Sequence, residues 1–413
     1  MVFTSLYHLL NKDLLLQCHE ELDKKKAVGM DGISKKEYAK ELDANIDDLI
    51  LGLKNKAYKP MPTLRKYIPK SNGKQRPLGI ACYEDKIVQL ALKKVVEAVF
   101  EPRFLDCMFG FRPDRGCHDA LKALNWTIEK RKVSYVLDAD IKGFFDHINH
   151  EWMMKFIEVK IKDPNVLGLI KKYLKAGLME DNIYHPTEEG TVQGSNLSPV
   201  LANIYMHYVL VLWFYKEVRE QMKGECHLIV YADDFVCCFQ YKSEAEQVYH
   251  MLQKRLLQFN LELEASKCRL IEFGRFAEEN SNPKKPETFD FLGFTHYCGK
   301  GKNGNFRVKR KTSNKKFKEK IKNFEIWMKQ NRTIPLKELI SKVNAKLKGH
   351  YNYYGITDNS RMICAYCNNV RYIIFKWINR RSQRNSYTWQ GFYDMLRYYP
   401  LVKPKICVNI YKK

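Results

Sequence analysis

The chain has 413 residues, 45% of them hydrophobic and 29% charged, which excludes a disordered polymer and leaves room for two or three domains. Its formal charge is +24 and unevenly placed: residues 301–413 hold 27 Lys and Arg against 5 Asp and Glu, residues 1–300 hold 44 against 42. An excess confined to one end points to a polyanion docked by the C-terminal region rather than to a generally solvated surface.

Residues 1–58 are expected to be helical. "NKDLLLQCHEELDKKK" and "SKKEYAKELDANIDDLILGLKNK" repeat apolar residues at helical spacing, with the turn "VGMDGIS" between them. The first stretch, "MVFTSLYHLLNKDLLL", lacks a basic lead and is interrupted by Lys12 and Asp13, so a signal peptide is not expected. Nor does any apolar run approach the roughly 20 residues of a membrane span. Pro60 and Pro62 mark a boundary. A basic hairpin with "SNGK" at its tip follows, then an amphipathic helix. "VSYVLDADI" is a predicted strand, and "NLSPVLANIYMHYVLVLWFY" a helix with Ser198 as N-cap and Pro199 in its first position. "LIVYADDFVCCF" is a predicted hairpin, "SEAEQVYHMLQKRLLQFNLEL" a helix, and "FDFLGFTHYCGKGKNGNFRVKRK" a hairpin with a glycine-rich tip.

From about residue 312 the pattern is helical and basic. Leu336, Leu339, Ile340, Val343 and Leu347 share one face, and Lys337, Lys342, Lys346 and Lys348 lie largely away from it. "MICAYCNNVRYIIFKWINRRSQR" is a second such helix. The twelve cysteines are irregularly spaced, which fits reduced thiols in a cytoplasmic protein. Cys364 and Cys367 form a lone CxxC with no second Cys/His pair nearby, so no zinc site is expected.

Asp233 and Asp234 are an unusual choice for a hairpin tip, because favoured two-residue turns want Asn-Gly or Asp-Gly. Adjacent like charges fit a cation site better. "YVLDADIKGFFDHI" offers Asp138, Asp140 and Asp146 as further carboxylates; Asp138 and Asp140 would share a strand face, and spacing alone does not choose among the three.

The blocks "YIPKSNGKQRPLGI", "FGFRPDRGCHDAL", "DIKGFFDHI", "QGSNLSPVLANIYM", "YADD" and "FDFLGF", in that order, resemble the reverse transcriptases of group II introns. "LKGHYNYYG" resembles their maturase-type thumb, and "NRRSQRNSYTWQGF" the C-terminal stretch of one bacterial branch. The resemblance runs from the N-terminal helices nearly to the end. It implies a mixed α/β right-handed polymerase: an N-terminal helical extension (1–58), fingers and an antiparallel-sheet palm (59–311) and a basic α-helical thumb (312–413). The implied activity is RNA-directed DNA synthesis on intron RNA, with maturase help in splicing. Implied partners are an RNA template and RNA–DNA hybrid, the group II intron RNA, dNTPs and target DNA, in the bacterial cytoplasm and at the nucleoid.

Matched residue by residue, Asp140, Asp233 and Asp234 would ligate two Mg²⁺ ions, with Asp138 structural. Phe145 would be a steric gate beneath the sugar, with Phe144 in the core. Lys70 and Arg76 would bind the triphosphate, Gln193 and Gly194 would lie beside the nucleotide, and Lys267 would protonate the leaving pyrophosphate. Phe291, Leu292, Gly293 and Phe294 would be the primer grip. Arg112 matches the family in a structural role. Lys337, Lys342, Lys346, Lys348, Tyr351, Tyr353, Arg380 and Arg381, interleaved with Tyr354, Trp377 and Trp389, would contact RNA.

Two departures bear on detail: Val192 stands where relatives often have Pro, and Ser195 where they often have Gly. Ser198-Pro199 also replaces the "SQ" of diversity-generating retroelement enzymes. No Cys/His-rich endonuclease module is expected after the thumb, which implies priming from a nascent strand or a domesticated role. Rival readings are a polymerase recruited to phage defence or DNA repair, an RNA-binding maturase without polymerase activity, and a two-metal nuclease. The intact Asp140, Asp233 and Asp234 weigh against the silent maturase, and the finger and thumb blocks against the nuclease.

Overall fold

The computed structural model describes residues 1–69, 75–277, 286–301, 303–381 and 387–411. The chain divides into two compact units. One comprises residues 1–120, 137–237 and 242–269; the other comprises 121–136, 238–241 and 270–413. These units are drawn differently from the three consecutive segments expected above, because the second takes up short pieces of the middle of the chain.

In the first unit, helix Lys12–Glu21 starts at Asn11, whose side chain accepts from Leu14 N, and it buries Leu15 and Cys18. The second helical stretch is interrupted. A capping box at Ser34 and Glu37 starts a single turn, Lys35–Tyr38, a 3₁₀ turn follows, and helix Leu42–Lys54 buries Ile46, Leu49 and Leu53. No regular structure spans Pro60 and Pro62. That link is tied to helix Tyr83–Phe100 by Met61 N, which donates to Asp85 Oδ2 at 3.1 Å, and by the Tyr58 hydroxyl, which donates to Asp85 Oδ1. Asp85 is only 3% exposed, and burial pushes its carboxyl up to about 6.

Strands Thr63–Pro69 and Gln75–Ile80 pair antiparallel, Leu64 opposite Ile80 and Pro69 opposite Gln75. They extend into a four-stranded sheet through Leu178–Glu180 and Ile183–His185. In a second sheet the neighbours run Cys226–Tyr231, Asp234–Phe239, Tyr135–Asp140. The strand ending at Asp140 thus lies beside the strand beginning at Asp234, as the two carboxylate motifs require. Helix Ser198–Met206 is almost wholly buried and runs on through two π-helical segments, His207–Val211 and Phe214–Val218. Its N-cap is Leu197, not Ser198. The Ser198 hydroxyl instead donates to Val192 O at 2.8 Å, tying the helix start to the segment that carries Gln193.

The second unit holds the hairpin Phe294–Lys300 and Phe306–Thr312, edged by Phe289–Phe291. Its helices are Asn314–Asn331, Leu336–Tyr354, Ser360–Ile378 and Trp389–Tyr398. Leu339, Val343, Leu347, Ile363, Val370, Ile374 and Phe392 make its core. Among the described residues no helix is long and apolar enough to cross a membrane.

Candidate active site

The hairpin between Tyr231 and Asp234 turns through Ala232, whose φ is +59°. A side chain in that region costs about 1–2 kcal/mol, so the surrounding structure must impose it. It does so from beneath. Phe109 N donates to Val230 O at 2.9 Å, Val230 N donates to Cys107 O at 2.8 Å, and Asn203 Nδ2 holds Gly110 O at 2.9 Å. A Cβ on Gly110 would stand 2.3 Å from Ala232 N, so only glycine allows this approach. Arg112 secures the same segment: it forks onto Glu101 and donates to Leu105 O and Met108 O.

Asp234 is exposed, and Asp233 and Asp140 are half-buried. The end of the Asp140 strand is matched by residues 262–267: Glu264 N donates to Asp140 O at 2.8 Å and Lys142 N to Glu262 O at 2.9 Å. This pairing delivers Lys267, whose ammonium donates to Asp140 Oδ2. That bond to Asp140 is the main reason the Lys267 ammonium is held above its ordinary range, with smaller help from Glu264 and Asp234. Burial pushes the Asp233 carboxyl above the usual carboxylate range and the Asp140 charge adds to it; a backbone hydrogen bond, Arg76 and Lys267 pull it back. The three aspartates, Lys267 and Arg76 therefore share one electrostatic neighbourhood. Among the described residues no three Asp, Glu, His or Cys side chains form a ready-made metal cluster, and Asp140 is paired with Lys267. The donors are nonetheless hard carboxylate oxygens, the ligand type that would suit a divalent cation.

Gly143 (φ +54°) turns the chain into the 3₁₀ segment Phe144–Asp146. Phe144 is buried edge-on to Tyr205, as expected of a core ring. Phe145 is half-buried and lines a cavity of roughly 280 Å³ with Arg65, Gly79, Thr191, Val192 and Gln193. Gly79 N donates to Gln193 O at 2.7 Å, and at Gly194 (φ +106°) a Cβ would lie 2.8 Å from Gly79 O. Ser195, the departure from the family pattern, donates its hydroxyl to Gln89 Oε1 at 3.0 Å. Arg76 sits on the hairpin strand and Lys70 lies outside the described residues.

In the second unit, Leu292 (φ +48°) and Gly293 (φ +79°) form the tight turn of the expected primer grip, between Phe291 and the fully buried Phe294. Tyr353 backs it: its hydroxyl donates to Leu292 O at 3.0 Å and its ring stacks on Phe294 at 5.9 Å. Lys337, Lys342, Lys346 and Lys348 are exposed, Lys342 pairing with Glu338 and Lys346 lying over Trp327. Tyr351 must be corrected. It is 2% exposed, because its helix turns that position into the core, and it offers RNA no surface. Tyr354 is likewise buried. Arg380 is exposed over Trp377, while Arg381 donates to Ile334 O at 2.9 Å.

A family model described as "Reverse transcriptase (RNA-dependent DNA polymerase)" matches residues 68–296, more than half of the chain. The chain belongs to the reverse transcriptase family. That family carries the right-hand polymerase fold and uses divalent metal ions. A second model, "Group II intron, maturase-specific domain", matches residues 314–393. Among curated relatives, "Group II intron-encoded protein LtrA" of Lactococcus lactis subsp. cremoris is 42% identical over 208 residues, 50% of this chain and 34% of that protein. "Uncharacterized 91 kDa protein in cob intron" of Schizosaccharomyces pombe is 37% identical over 217 residues, 52% of this chain and 26% of that protein. "Protein YkfC" of Escherichia coli K12 is 35% identical over 186 residues, 43% of this chain and 48% of that protein. The matched stretch thus spans about a third of the Lactococcus protein.

Proposed function

We propose that this reverse transcriptase copies intron RNA into DNA and assists splicing of its group II intron. The observation that carries the reading is the junction of Asp140, Asp233 and Lys267 at one sheet end, on a turn held open by Gly110. We assign Asp140, Asp233 and Asp234 as ligands of two Mg²⁺ ions, which when bound would stabilise the attacking 3′-oxygen and the leaving oxygen of the α-phosphate. Arg76, whose charge already acts on Asp233, would hold the triphosphate together with Lys70. Phe145 on the cavity wall would exclude a 2′-hydroxyl, and Gln193 and Gly194 would lie along the base and template. Lys267 carries a proton and, once released from Asp140, would give it to pyrophosphate.

Residues 1–58 would serve as the helical extension, 59–311 as fingers and palm, and 312–413 as the thumb. The thumb would hold an A-form template or hybrid through Lys337, Lys342, Lys346, Lys348 and Arg380, and the turn 291–294 would support the primer end. Intron RNA, dNTPs and target DNA complete the proposed partners. The test is primer extension on an RNA template. Wild type should extend, and Asp233→Ala should lose at least about a thousandfold in rate. Equal extension by both proteins would sink the assignment.

A further inference from the structure

The cavity beside Phe145 has two walls from different stretches of chain. Phe145 and Asp146 stand on one, and Gly190, Thr191 and Gln193 on the other. Three hydrogen bonds tie the two stretches together. Thr191 N donates to Phe145 O at 2.7 Å, and Gly190 N donates to Ile148 O at 2.8 Å. The third comes from a side chain: His150 donates from Nε2 to Gly190 O at 2.7 Å. A carbonyl only accepts, so the imidazole proton sits on Nε2. The approach is close. A Cβ on Gly190 (φ +81°) would lie 2.7 Å from Asp146 O and 3.0 Å from Phe145 O. The walls meet backbone to backbone, so a shift of one is passed to the other.

His150 is itself firmly placed. It opens helix His150–Glu158, whose N-cap Asn149 accepts from Trp152 N at 3.0 Å. It is buried, and burial pushes its imidazole below the ordinary range, which keeps the ring neutral with Nε2 as its donor. It stands behind the wall and does not line the cavity. The neighbouring side-chain contacts of the same segment are exposed: Glu189 accepts from Asn260 Nδ2 at 2.7 Å and lies 3.3 Å from His147 Nδ1. Exposed contacts of this kind hold a loop weakly, whereas a buried donor and acceptor are costly to separate. The His150 bond is therefore the side-chain contact that fixes the second wall against the first.

We propose that His150 is a positioning residue for sugar selection: through Gly190 it sets the spacing between the Phe145 ring and the Gln193 segment, and with it the room left for a 2′-hydroxyl on the incoming nucleotide. The inference rests on reading Phe145 as the steric gate, and it adds a residue that acts on the gate without touching the nucleotide.

The test is single-nucleotide incorporation by the full chain on an RNA template, with kcat and KM measured for dCTP and for CTP. A misfit of one methylene in a steric pocket is worth about tenfold, and a displaced wall a part of that. His150→Ala should therefore raise CTP incorporation relative to dCTP by about threefold or more. His150→Gln should return the ratio to near the wild-type value, since its amide can donate to Gly190 O. The ratio compares two substrates in one preparation, so a variant that merely folds less well leaves it unchanged, and melting temperatures report that loss separately. An equal fall on both sugars, or no change in either, overturns the inference. So does a raised ratio that His150→Gln fails to correct, because lost volume rather than the lost bond would then be at work. Phe145→Ala is measured alongside. If it shifts the ratio and His150→Ala does not, the gate stands and His150 has no part in it. If Phe145→Ala leaves the ratio unaltered, the gate reading falls and the inference with it.

Discussion

The turn carrying Asp233 and the helix Leu336–Tyr354 treat charge in opposite ways. Around the turn, opposite signs are gathered: Lys267 sits on Asp140, and Arg76 draws on Asp233. Along the helix, Lys337, Lys346 and Lys348 are exposed, Lys346 lying over Trp327, and Lys342 pairs with Glu338. On the proposed reading the first arrangement would serve a small ion at a fixed point, where a misplacement of an ångström matters. The second would serve a long polyanion as a diffuse field, where any one contact is replaceable. The two regions should therefore respond very differently to single substitutions.

The sharpest contrast should come from Gly110→Ala, which touches no charge. Its new Cβ would collide with the Ala232 backbone, so we expect primer extension to fall about a hundredfold or more and the first unit to lose about 1–3 kcal/mol in urea melts. Unchanged activity would show that the turn does not depend on that approach. Phe145→Ala should come next, raising incorporation of ribonucleotides relative to deoxyribonucleotides by about tenfold or more. Single-nucleotide kinetics with both sugars decide it, and an unaltered ratio removes the ring from sugar selection.

Asp85 gives a pH-dependent test of the first unit. Its folded carboxyl titrates at about 6, above the usual value, because it is buried. The folded state then holds that proton more tightly than the unfolded chain. Its contribution is fully present below about pH 4 and is lost as the pH rises through 6, a swing of up to about 3 kcal/mol. Asp85→Asn should flatten the stability profile between pH 4 and 6 and raise the urea midpoint at pH 7.5. A wild-type profile that is flat across that window contradicts the buried charge.

On the diffuse side, replacing any one of Lys337, Lys346 and Lys348 with Gln should lower RNA affinity only severalfold and reduce the salt slope by about one. An affinity indifferent to salt would break the polyelectrolyte reading. The smallest effect is expected at Tyr351→Phe: the ring is buried, so RNA affinity should change less than twofold.

Much of this was legible in the chain itself. Strand periodicity broken by two adjacent carboxylates marked the turn, whereas spacing left Asp138, Asp140 and Asp146 open and only the family resemblance singled out Asp140. The interrupted second helix was less legible, since apolar spacing runs smoothly through Ala39–Glu41 while the capping box at Ser34 starts a turn that does not continue. Ser198 read as an N-cap because its type and its proline neighbour are typical of one; tertiary contact diverted its hydroxyl to Val192. Gly110 and Asn203 gave almost no signal, for a bare Cα matters only when another backbone arrives above it.

The sequence by itself determined chemistry and family: which acids and bases exist, how the charge is partitioned, and which ordered blocks mark a reverse transcriptase. Only the tertiary structure decided which aromatic rings face water. Tyr351 lies in the core, Tyr353 braces Leu292, and Tyr372, Trp389 and Tyr393 stand exposed in a row. Each of these helices carries several aromatic rings. What separates their roles is which side of each helix the neighbouring helices leave uncovered, and local spacing does not encode that.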